Sequence, residues 1–141
     1  MTDYVSTGRA TLGFRHFPLK DIHPNATGAA EAAECAGIQG RFWEMHDALF
    51  REPKELTPDK VLTKADKIGL NLGSFEKCLR GETAARVDAD FNEARQMEVR
   101  GTPTFFFGKL QAGKLHVIRR ETGALPAAAF AKILDELLPP K

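Results

Sequence analysis

The residues of this chain that could do redox chemistry are Cys35 and Cys78, its only two cysteines. A thiolate attacks a disulfide sulfur, so a redox enzyme of this size needs a reactive pair held together, typically as CxxC near a helix N-terminus. These two are far apart in sequence and form neither CxxC nor a zinc spacing. Two readings stay open: a pair of small buried hydrophobes, or a disulfide. An intracellular setting favours the free thiols. His16, His23, His46 and His116 show no HxxxH or Cys/His pattern, so no metal is expected. No glycine-rich phosphate loop occurs, and no cofactor is expected. Glu31, Glu34, Glu44 and Asp47 are spaced as a solvated helix face would be, while Phe42 and Trp43 read as core. Asn25-Ala26-Thr27 matches a glycosylation sequon, but Asn25 reads equally well as a helix N-cap.

A second feature is the stretch Arg100 to Gly108, RGTPTFFFG. Three successive phenylalanines predict a buried strand, and proline belongs only at its first residue, an edge or a bulge. Thr102-Pro103 is then either a rigid stop or a corner that shows backbone groups to a ligand.

The elements that would position these residues follow from periodicity. Arg9–Phe17 alternates Ala10, Leu12 and Phe14 with polar residues, which predicts a strand. A helix is expected to start near Asn25 and run through to Phe50, with Gly37 and Gly40 bending it or admitting a neighbour. Thr57-Pro58 starts another that ends at Gly69, and a short helix spans Leu72 to Leu79. Thr83–Glu98 carries the stripe Ala84, Val87, Phe91 and Ala94. The phenylalanine strand pairs through a turn near Gln111–Gly113 with Lys114–Arg120. A last helix follows Leu125-Pro126 and stops at Pro139-Pro140.

The chain has 141 residues, 43% of them apolar, with 20 Lys and Arg against 19 Asp and Glu. That is one α/β domain's worth, able to bury roughly two thirds of its extended surface. The cations are scattered along the chain, so nucleic acid and anionic membranes are not expected as partners. No apolar run reaches membrane-spanning length, and the first residues lack a secretory-signal pattern. The chain as written is therefore expected to be cytoplasmic.

GTPTFFFG with its hairpin, GALPAAAFAKILDELL, RHFPL and AAECAGIQGRFWEMHDALF together resemble the DsbA-like branch of the thioredoxin superfamily over essentially the whole chain. The resemblance implies a thioredoxin-like α/β fold as a single domain over residues 1–141. A helical insertion would occupy about 25–98 and a C-terminal β-β-α unit about 101–138. It implies that Thr102 and Pro103 form a cis-proline corner in a substrate groove for an extended peptide or protein. Such proteins typically work outside the cytoplasm. They also begin with a central strand and a CxxC helix, and the matching region here starts at the end of that helix, near Asp3–Val5. The expected function is a thiol-disulfide oxidoreductase relative without its redox site, hence no catalytic residues. The alternative is a non-catalytic module that binds protein or peptide. Some relatives carry an extra structural disulfide, which Cys35 and Cys78 could form. A missing central strand would leave apolar sheet edges, to be repaired by a shifted Arg9–Phe17 strand or, preferably, by a homodimer.

Overall fold

A computed structural model describes residues Thr2–Leu138; the expected Pro139-Pro140 stop lies outside them. The elements are α1 (Thr2–Val5), α2 (Ala26–Ile38), α3 (Phe42–Arg51), α4 (Pro58–Lys67), α5 (Leu72–Cys78), α6 (Ala84–Gln96), β1 (Thr104–Gln111), β2 (Lys114–Thr122) and α7 (Ala127–Leu137). This mixed α/β set has the thioredoxin-like character expected from the sequence. The backbone groups into two compact units, residues 15–97 and residues 1–14 with 98–141.

In the helical unit, α2 lies at the centre. Ala29, Ala30, Ala32, Ala33, Cys35 and Ala36 are all buried, on every side of the helix. A helix apolar all round belongs inside a protein, and alanine lets neighbours come close. Helices α3, α4, α5 and α6 all pack on it. Met45, Leu49, Val61, Ala65, Leu70 and Phe75 complete the core, and burying Met45 or Phe75 contributes about 1.5–3 kcal/mol each. The single helix expected from Asn25 to Phe50 is instead two. Gly40 takes a φ of 73°, which ends α2 cheaply. A Cβ on Gly37 would lie 3.4 Å from Phe42 Cβ, so glycine admits the start of α3. Asn25 occupies the N-cap position, but its side chain makes no capping bond. Lys64 on α4 is 3% exposed and bonds Glu52. The hydrogen bond and charge of Lys64 hold the Glu52 carboxyl below its usual range.

The expected strand at Arg9–Phe17 is absent, and the sheet of the described residues has two strands. Its backbone groups are used elsewhere: the Arg9 and Ala10 amides both donate to the Tyr4 carbonyl, at 2.8 and 3.0 Å. The His16 amide donates to Asp90 Oδ2 at 3.0 Å. Alternating side chains do not make a strand when these amides bond to other groups. The shifted-strand, three-stranded sheet is therefore ruled out for this structure.

The second unit is built on the antiparallel hairpin of β1 and β2. Ala112 and Gly113, at φ 49° and 76°, form its two-residue turn with the twist such loops favour. Phe105 and Phe107 meet Phe130 of α7, with ring centroids 4.7 and 5.6 Å apart. Phe107 and Ile133 are buried there. Phe107 pairs with Arg119 but Gly108 with Val117, leaving Ile118 as the extra residue of a β-bulge. A Cβ on Gly108 would sit 2.0 Å from the His116 carbonyl oxygen. Gly108→Ala should therefore displace the bulge and cost about 1–3 kcal/mol. A lowered midpoint in thermal unfolding checks this; an unchanged midpoint would mean that β2 yields freely.

Candidate functional site

Two of the residues singled out in the sequence are joined directly. Cys35 near the end of α2 and Cys78 at the end of α5 form a disulfide across a sequence separation of 43, with Cα atoms 5.8 Å apart. This corrects the reading that favoured two free thiols. The reason is the packing of α5 on α2, which brings both side chains into one alanine-lined core. Cys35 is 1% and Cys78 4% exposed. Thr83, also buried, sets its hydroxyl 3.6 Å from Cys35 Sγ. Exchange requires a thiolate in line with the S–S bond, and no such approach exists while the helices stay packed.

The corner at Thr102-Pro103 belongs to the hairpin unit, and its peptide bond is cis. Thr102 and Pro103 are both exposed. The corner is fastened at either side: the Gly123 amide donates to the Pro103 carbonyl at 2.8 Å, and the Thr104 hydroxyl to the Gly101 carbonyl at 2.7 Å. It is thus a fixed, exposed bend at the entry to β1.

A third constellation was not expected from the sequence. Glu34, read as part of a solvated face, is 6% exposed. Its Oε1 lies 3.0 Å from His16 Nε2, and its Oε2 accepts from Arg86 Nε at 2.9 Å. Asp90 accepts the His16 amide and faces Arg15 Nε at 3.4 Å. Phe17 stacks on Phe91 at 4.9 Å. Together these fasten Arg15–Phe17 onto α2 and α6. A signal was present in the sequence: a helix reading AAEAAECA has alanine on every side, so one of its glutamates must be interior. His16, Glu34 and Asp90 could each offer a ligand atom, all within 4.8 Å. Each carboxylate already faces a guanidinium, however, whose charge opposes a cation at the same oxygens.

His46 is partly buried, with Nδ1 3.0 Å from Asp47 Oδ1. Trp43, expected in the core, is 43% exposed, while Phe42 packs edge-on to it at 5.2 Å. No helix among the described residues is long and apolar enough to cross a membrane.

The bridge closes a long loop in the unfolded chain, which by the chain-entropy model is worth roughly 4 kcal/mol. The Cys35→Ala/Cys78→Ala double variant should lose that order of stability in guanidinium titration while retaining helical circular dichroism. A loss below about 1 kcal/mol would mean that packing alone holds α5 on α2.

Comparison with known proteins agrees with this architecture. A family model described as thioredoxin matches residues 1–134. The chain is 38% identical over 138 residues to "Na(+)/H(+) antiporter NhaA 3" of Salinispora tropica, covering 96% of this chain and 21% of that one. It is 41% identical over 129 residues to "Na(+)/H(+) antiporter NhaA 1" of Salinispora arenicola, covering 91% and 19%. A similarly named protein of Mycolicibacterium gilvum is 37% identical over 125 residues, 86% of this chain and 19% of its own. The chain thus spans about a fifth of the length of the curated relatives it matches. No solved structure matches it. With its matched residues running through nearly every element described above, the chain belongs to the thioredoxin family.

Proposed function

We propose that this polypeptide is a DsbA-like member of the thioredoxin family that acts without thiol chemistry, as a module that binds an extended peptide or protein segment. One observation carries the reading: its only two cysteines are bonded to each other and buried at 1% and 4% exposure. No second pair exists in the sequence to attack a substrate disulfide. The exposed Thr102-Pro103 bend supports the binding role, because fixed backbone at the mouth of a strand can pair with an added strand. The buried bridge supports an oxidising, extracytoplasmic setting over the cytoplasmic one. The relatives named as sodium/proton antiporters align with 96% and 91% of this chain at 38% and 41% identity, which supports a module that serves such a transporter, within one polypeptide or beside it.

The purified chain should not accelerate insulin reduction or oxidative refolding above a free-thiol control. Catalysis that disappears in the Cys35→Ala/Cys78→Ala variant would overturn the non-catalytic reading.

A symmetric dimer is part of this proposal. Strand β1 pairs with β2 on one side, and among the described residues no strand pairs its other edge. From Thr104 to Gly108 that edge carries no charged residue, so nothing guards it against a second copy. Light scattering at several micromolar concentrations should find a mass near twice 15.5 kDa. A particle that stays at the monomer mass throughout removes the dimer.

A further inference from the structure

Residues 99–120 contain Arg100, Lys109, Lys114, Arg119 and Arg120, and no Asp or Glu, although the whole chain balances to +1. Scattered along the sequence, these cations show no stripe; strand pairing gathers most of them on one ribbon. Arg119 is partly neutralised by Glu121 and Glu136, and Arg120 lies over the Phe106 ring. Lys109 and Lys114 remain exposed at the tip, with His116 opposite Lys109.

The bulge determines what accompanies them. Directly paired residues share a face of a hairpin, and every second residue returns to it. Phe106 pairs with Arg120 on the face away from α7; Phe105 and Phe107 take the α7 side. Beyond the bulge Gly108 pairs with Val117 and Leu110 with Leu115. Val117, Leu110 and Leu115 therefore join Phe106 on the face away from α7. In an unbulged ladder, with Gly108 opposite Ile118, Leu115 and Val117 would instead point to the α7 side. They are 44%, 64% and 47% exposed for Val117, Leu110 and Leu115 respectively.

We propose that this hairpin is a docking surface for an anionic lipid bilayer. Leu110, Leu115 and Val117 would enter the headgroup boundary, while Lys109 and Lys114, from the other face of the ribbon, reach around to lipid phosphates. The charge pattern picks an anionic partner, and the apolar face picks lipid over nucleic acid, whose phosphate backbone gives three exposed aliphatic side chains nothing to bury against. This departs from the expectation drawn from charge along the chain, because that charge is local to a paired ribbon. The inference rests on the hairpin alone, so the outcome of the thiol assay does not touch it.

The test is co-sedimentation of the full chain with phosphatidylglycerol vesicles, with phosphatidylcholine vesicles and a DNA duplex as controls. Binding should be confined to phosphatidylglycerol and weaken steeply with added salt. Lys109→Gln/Lys114→Gln should weaken it roughly 25-fold, about fivefold for each lysine. Leu110→Glu/Val117→Glu should abolish it, with circular dichroism unchanged because both positions are exposed. No binding to phosphatidylglycerol, equal binding to phosphatidylcholine, or no effect of the Leu110/Val117 variant would overturn the proposal. So would tighter binding to the duplex than to vesicles. Self-association abolished by that same variant, without vesicle binding, would assign the face to a second copy and overturn it too.

Discussion

The helical unit depends on how closely its other helices can approach α2. Alanine at 29, 30, 32, 33 and 36 leaves a slender rod that α3, α4, α5 and α6 can surround. Apolar burial is favourable in proportion to area, and small side chains trade their own area for that of the partners they admit. Met45, Phe75, Val61 and Leu49 supply the bulk that α2 lacks. The same closeness brings Cys35 within bonding reach of Cys78, so the disulfide follows from the packing and then reinforces it. A larger residue on α2 would push out several helices at once and separate the sulfurs.

The central helix also explains why a carboxylate is buried. With neighbours on all sides, α2 has little solvated face to give Glu34. An unpaired interior charge would be very costly. His16 and Arg86 occupy its two oxygens instead, and the otherwise irregular Arg15–Phe17 segment acquires a fixed position. The network is a fastening in which both carboxylates are held by donors from the Arg15–Phe17 segment and α6.

Family membership does not by itself assign a chemistry to this molecule. The architecture is that of a family known for thiol exchange, yet function belongs to a site and not to a fold. What the chain retains is a cis corner opening a strand and a sulfur pair sealed in a core. The first can present backbone; the second stabilises. The hairpin adds a separate character, since the bulge at Ile118 keeps two aliphatic side chains on the face away from α7.

Much of this was legible in the residues. Helix positions, the Ala112-Gly113 turn and the Thr102-Pro103 bend follow from local rules: 3.6-residue periodicity, proline's fixed φ and glycine's freedom. The absence of any CxxC was equally plain. What the sequence could not determine were the pairings of distant groups. Arg9–Phe17 alternates like a strand, but its Arg9, Ala10 and His16 amides go to Tyr4 and Asp90, a choice made by their surroundings. Glu34 looked solvated because a helical wheel shows spacing and not which faces will be covered. The two cysteines could be read either way until α5 was seen to pack on α2. The exposed face of the hairpin depends on Ile118, a residue whose type says nothing of the bulge it forms. In each case local propensity acts through the backbone near a residue, while burial, pairing and register depend on atoms brought from elsewhere in the chain.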